Sequence, residues 1–114
     1  MDRLKSHDRD TLAFVKMQGA GNDFIMIDGR HGHRSDLQAL VPRLCDRRFG
    51  IGADGVIVLA PSKSADARMI YFNADGSETI CGNGMRCLAR FALRQGMIAA
   101  ERKDFEIETK TGIV

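Results

Sequence analysis

Cys81-Gly-Asn-Gly-Met-Arg-Cys-Leu-Ala-Arg-Phe-Ala-Leu-Arg-Gln-Gly96 is the stretch whose pattern decides the fold. Between Met85 and Gln95 the polar residues are Arg86, Arg90, Arg94 and Gln95. The arginines fall at i, i+4 and i+8, one narrow stripe on a helix of about 3.6 residues per turn. Met85, Cys87, Leu88, Ala89, Phe91, Ala92 and Leu93 cover the rest of the circumference, and Gly96 supplies a C-terminal stop. A helix apolar on nearly all sides has to be surrounded by other structure. Short strands flank it in sequence, so the simplest arrangement is a curved, mainly antiparallel sheet, roll- or barrel-like, wrapped around this central helix. That is an α+β fold, since no βαβ alternation is visible to suggest a doubly wound sheet.

Working outward, residues 1–11 are polar and aperiodic and read as a disordered extension, which leaves 12–114 as one domain. Apolar runs at 12–17 and 23–28 flank Gln18-Gly-Ala-Gly-Asn22 and predict two strands around a Gly-rich loop. Ser35-Asp-Leu-Gln38 has capping-box spacing, followed by Leu37, Leu40, Val41 and Leu44 at helical period; Pro42 is expected to interrupt that helix. After the loop Arg47-Arg-Phe-Gly-Ile-Gly-Ala-Asp-Gly55, residues 56–60 form a near-continuous apolar strand. Residues 68–73 alternate as another strand and end at the turn signal Asn73-Ala-Asp-Gly76. Residues 104–109 read as a half-buried strand, 110–112 as a turn and 113–114 as the start of a further strand.

Composition narrows the function. Of 114 residues, 44% are hydrophobic, enough for a core, so a disordered chain is excluded. The net charge of +2 comes without a basic cluster, and 6% aromatic content without Trp offers no stacking platform, which argues against nucleic acid. No apolar run approaches the roughly 18 residues that span a bilayer, and the charged N-terminus has no secretory pattern. Cys45, Cys81 and Cys87 are odd in number and fit neither a disulfide framework nor a zinc spacing. Reduced thiols in a cytoplasm follow.

Cys81 directly precedes the helix, where the macrodipole and unpaired N–H groups favour a thiolate. Gly82 and Gly84 let a ligand approach the backbone, whose amides can cradle a carboxylate. The bland alternative for such a cysteine is a small buried hydrophobe. Cys87, about 9 Å along the axis and on another side, reads as core, as does Cys45. Residues 18–23 and 50–55 hint at phosphate loops but complete no phosphate-binding motif, so tight turns are preferred. Asn22 and Asn73 are ordinary turn residues singly; as a set with Asn83, short amides in three separate glycine-containing loops, they suit a small polar ligand. His31 and His33 in a Gly-rich turn read as solvated, with no metal site expected.

Three segments carry a resemblance: Phe14-Val-Lys-Met-Gln-Gly-Ala-Gly-Asn-Asp-Phe-Ile-Met-Ile-Asp28, Arg48-Phe-Gly-Ile-Gly-Ala-Asp-Gly55 and Asn73-Ala-Asp-Gly-Ser-Glu-Thr-Ile-Cys-Gly-Asn-Gly-Met-Arg-Cys87. In order and spacing they closely resemble the N-terminal half of the diaminopimelate epimerases. The resemblance implies an isomerase, independent of pyridoxal phosphate or any other cofactor, that interconverts LL- and meso-diaminopimelate for lysine and peptidoglycan synthesis. It implies two similar α+β halves, each a sheet around a helix, and two cysteines on opposite faces of the substrate α-carbon. By position, Cys81 is one of that pair, Asn22 and Asn73 hold substrate, and the Gly82 and Asn83 amides bind the α-carboxylate. Some members carry Gln where this chain has Gly55, so that contact is a departure. The C-terminal domain with the second cysteine is not among the 114 residues, so the chain by itself is expected to be inactive; a homodimer is left open. The competing readings are a non-catalytic carboxylate- or amino-acid-binding module, a proline-racemase-like or phenazine-biosynthesis-like isomerase, and a redox-sensing thiol, the last weakened by the lack of a resolving cysteine nearby.

Overall fold

An unbroken apolar run dictates a strand with no solvent-facing side, and such a strand forms the spine of this protein. The computed structural model describes residues 12–19, 21–33, 35–80, 82–96, 104, 106–110 and 112–113; the expected extension at 1–11 and Cys81 lie outside the described residues. The strands are β1 (Val15–Gly19), β2 (Asn22–Asp28), β3 (Gly55–Ala60), β4 (Ala67–Asn73), β5 (Glu78–Thr79), β6 (Ile107–Thr109) and β7 (Gly112–Ile113). Helix α1 spans Leu37–Cys45 and α2 spans Gly82–Arg94. The sheet runs β1-β2-β3-β4-β6-β7, with β5 pairing beside β6 on the far edge of β4. Every residue of β3 is buried.

β1 and β2 form the expected hairpin, closed between Gly19 and Asn22, with Gly21 at a φ of 90° that other residues rarely adopt. The Asn73–Gly76 turn also forms, with the Gly76 N–H donating to the Asn73 carbonyl at 2.8 Å. Two expectations are corrected here. β2 and β3 are parallel with α1 between them, so the chain does contain a βαβ crossover, and β4 and β6 make a second parallel pair. α1 also runs through Pro42 without a break. Pro42 is exposed, its fixed φ suits a helix, and the loss is one hydrogen bond.

The capping box does not form either. Asp36 is the N-cap, one residue later than expected, so Gln38 falls at the wrong position to reach back. Its Nε2 donates instead to the Gly76 carbonyl at 2.9 Å. The strand expected at 104–109 is shorter, beginning at Ile107, while the Glu106 N–H donates to Asp66 Oδ2 at 2.8 Å.

Strand alternation sorts the core into two layers. Phe24, Met26, Ile57, Leu59, Met69 and Tyr71 face α2, packing on Cys87, Leu88, Phe91 and Ala92. Ile25, Ile27, Val56, Val58 and Phe72 face α1, packing on Leu37, Val41 and Cys45. Cys45 and Cys87 are core residues, as expected. Arg86, Arg90 and Arg94 are all exposed on one stripe, Leu88 and Ala92 are buried, and Met85 is half-buried. Leu93, however, is 42% exposed, so the helix is not enclosed on all its apolar sides. Part of the apolar sequence that would have enclosed it builds the second layer against α1.

Candidate functional site

The same alternation that places Phe24 and Ile57 under α2 places Asn22, Gly55 and Asn73 on that face, at the end of the sheet where α2 begins. Gly55 pairs with Phe24 on one side and Asn73 on the other, which sets Asn73 roughly 10 Å across the sheet from β2. α2 starts at Gly82, directly after Cys81 in sequence. Its first four N–H groups have no partner within the helix. Gly82 is exposed, and a Cβ built on it would meet nothing within 4 Å.

Asn83 and Asn22, 61 residues apart, are brought together: Asn83 Nδ2 donates to Asn22 Oδ1 at 2.7 Å. Asn22 Nδ2 in turn donates to Asp54 Oδ2 at 3.1 Å. Asn73 is held apart from this chain of contacts, its Nδ2 donating to Ser77 Oγ at 3.0 Å within the turn that follows β4. α2 sits close to β1 at this end, where a Cβ on Gly19 would lie 3.1 Å from Cys87 Sγ. The Gly-rich loops at 18–23 and 50–55 open no helix: the first is the β1–β2 hairpin, the second folds back on the end of α1. His31 and His33 are exposed, and no group of three or more metal-ligating side chains occurs among the described residues.

Sequence reasoning missed the ionic brace under this site. Arg47 donates to both Asp23 oxygens, at 2.9 and 2.8 Å, and to Asp54 Oδ1 at 3.1 Å; Lys16 adds a contact to Asp23 at 3.2 Å. The Arg47 guanidinium, helped by Lys16 and the Asp54 N–H, holds the Asp23 carboxyl well below the usual carboxylate range. A depressed carboxylate contributes stability that is fully present above its unfolded pKa and lost as pH falls through the folded value. Urea melts are therefore expected to show stability falling from about pH 5 to below pH 3. Asp23→Asn should flatten that slope without abolishing it, because Asp28 beside Arg30 is lowered as well. An unchanged slope in Asp23→Asn would remove this brace from the account of acid lability.

Tyr71 was missed too. Its ring meets Phe24 edge-on, centroids 5.9 Å apart at 80°, and fills the volume a side chain at Gly55 would need. Cys45, the last residue of α1, is buried, and desolvation pushes its thiol up to about 11.

Comparison with known proteins follows the same lines. Residues 14–114 match the family model described as diaminopimelate epimerase. Diaminopimelate epimerases of Desulforudis audaxviator and Moorella thermoacetica are 47% and 48% identical over 105 residues, covering 90% of this chain and 37% of theirs. The chain thus spans little more than a third of the length of these relatives. Among solved structures, a Bacillus anthracis phenazine biosynthesis protein of the PhzF family aligns with a TM-score of 0.64 at 24% identity, over 88% of this chain and 32% of that one. A methylitaconate-delta-isomerase aligns with a TM-score of 0.70 at 16% identity, over 87% and 31%. At these identities the likeness concerns the fold alone. No helix among the described residues is long and apolar enough to cross a membrane.

Proposed function

We propose that this chain, which belongs to the diaminopimelate epimerase family, supplies one thiol and one carboxylate cradle to an epimerase acting on diaminopimelate in the cytoplasm. The observation that carries the proposal is the start of α2 at an exposed Gly82, the residue after Cys81 in sequence, with Asn83 tied to Asn22. In this reading Cys81 is the catalytic residue, the Gly82 and Asn83 N–H groups receive the α-carboxylate, and Asn22 and Asn73 hold the rest of the substrate. Residues 12–114 form the N-terminal domain. A second domain, in the part of the relatives' length this chain does not span, brings the other cysteine. The packing of α2 against β1, β2, β3 and β4 supports a sheet that curves around it.

The chemistry balances without a cofactor. The Cys81 thiolate takes the α-proton, breaking the C–H bond and forming S–H. The electron pair left on carbon spreads into the carboxylate, where helix N–H groups and the positive end of the dipole stabilise the growing charge. A thiol on the opposite face then gives its proton to the carbon and becomes the thiolate. One base on each side inverts the centre without rotating the substrate, and a thiol has a pKa suited to both roles.

Thiol reactivity tests this assignment. Limited iodoacetamide labelling at neutral pH, read by mass spectrometry, is expected to modify Cys81 first. Cys45 and Cys87 are only 4% and 2% exposed, and the Cys45 thiol is further disfavoured by its raised pKa. Preferential labelling of either in the folded chain would overturn the assignment.

A further inference from the structure

We propose that Asp54 is a positioning residue that fixes the hydrogen-bond polarity of the Asn22–Asn83 pair and, through it, the first turn of α2. An ionised carboxylate only accepts, whereas an asparagine amide can point either way. Asp54 Oδ2 accepts from Asn22 Nδ2 and from the Asp23 N–H, both at 3.1 Å. That leaves Asn22 one orientation, its NH₂ toward Asp54 and its Oδ1 toward α2. Asn83 must then present its NH₂, which it does at 2.7 Å. Turning the Asn22 amide over would set oxygen against oxygen at Asp54 and NH₂ against NH₂ at Asn83.

Asp54 is itself fixed. Its Oδ1 accepts from Arg47 at 3.1 Å, and its N–H donates to the Asp23 carbonyl at 2.9 Å and to Asp23 Oδ1 at 3.1 Å. These reciprocal Asp23–Asp54 contacts tie the start of β2 to the residue just before β3. The orienting signal thus runs from the Arg47 brace through Asp54 and Asn22 to the second residue of α2. The functional weight of this rests on the epimerase reading, in which that turn cradles the carboxylate; the polarity itself does not.

The test is side-chain amide hydrogen exchange in the ¹⁵N-labelled 114-residue chain, with Leu88 and Ile57 methyl shifts reporting the fold. In the unmodified chain the Asn83 NH₂ protons should exchange more slowly than those of a free asparagine. Asp54→Asn puts an amide where an obligate acceptor stood, and Asn83 exchange should rise about tenfold, as for loss of one hydrogen bond. Asn22→Asp combined with Asp54→Asn restores the polarity. The introduced amide at 54 donates to the introduced carboxylate at 22, which still accepts from Asn83; the Asp23 N–H loses the oxygen it donated to, so protection should return in large part and not in full. A merely space-filling Asp54 would give no such rescue. Unchanged Asn83 exchange in Asp54→Asn, or no recovery in the double variant, overturns the proposal. So does free-asparagine exchange in the unmodified chain, whichever variants fold. Cys81 alkylation is read in parallel: loss of its preference with Asn83 protection intact would overturn the epimerase reading and leave the role of Asp54 standing.

Discussion

Incubated with LL-diaminopimelate in D₂O, the 114-residue chain by itself is expected to produce no measurable α-deuterated meso product. Inversion by two bases needs proton-transfer groups on opposite faces of one carbon, and the two thiols among the described residues, Cys45 and Cys87, are both buried. Cys87 is 2% exposed and packed in the layer between α2 and the sheet. Cys45, at the end of α1, packs in the layer on the other side of the sheet. Water could return a proton to the far face, but unpositioned and without a closed cleft to exclude bulk solvent. A positioned acid or base contributes about 10²–10⁴-fold, so losing one of two should bring the rate below detection. Supplying the remainder of a full-length relative as a separate polypeptide should restore exchange, and Cys81→Ala should abolish it again. Rapid exchange with inversion by the chain alone would mean that one thiol suffices, and the two-thiol mechanism would fall.

What the sequence disclosed and what it hid divide along the range of the contacts. The three arginines at every fourth position marked α2 because helical period is a local signal, and they emerge on one solvent stripe. The run at 56–60 marked a strand buried on both faces for the same reason. That double burial already implies a second covering layer, yet Pro42 is a strong local signal against a continuous α1. With that helix expected to break at Pro42, no strand–helix–strand unit is assigned across it, and the parallel pairing of β2 and β3 is not anticipated. Two of the missed contacts follow from that crossover. Asn22 and Asp54 are 32 residues apart and meet only because of the parallel register of β2 and β3. Asp23 and Arg47, 24 apart, meet across the same crossover. β5, at two residues, is too short to carry any periodicity.

Gly55 gives the sharpest packing prediction, because its neighbours leave no room. A Cβ there would lie 2.5 Å from Tyr71 Cε1 and 2.7 Å from both Tyr71 Oη and the Phe72 carbonyl oxygen. The glycine is needed for space and not for conformation, since its φ is outside the positive region. The ring could swing aside only by giving up its edge-on contact with Phe24. The carbonyl belongs to the strand ladder, where Phe72 pairs with Val56 and Asn73 with Gly55, and it cannot retreat without loosening that pairing. Overpacking of this kind costs about 1–3 kcal/mol, more than the 0.4–1 kcal/mol or so that a Gly→Ala change gains by restricting the unfolded chain. Gly55→Ala is therefore expected to lower Tm by up to about 15 °C, and Gly55→Gln by more. Adding Tyr71→Leu should make the combined loss smaller than the sum of the two, since the second change removes one of the two obstacles met by the first. The carbonyl remains, so the recovery is partial. A Gly55→Gln chain that melts with the original would show that this corner has room for a glutamine side chain; strict additivity with Tyr71→Leu would show that the ring is not what excludes it.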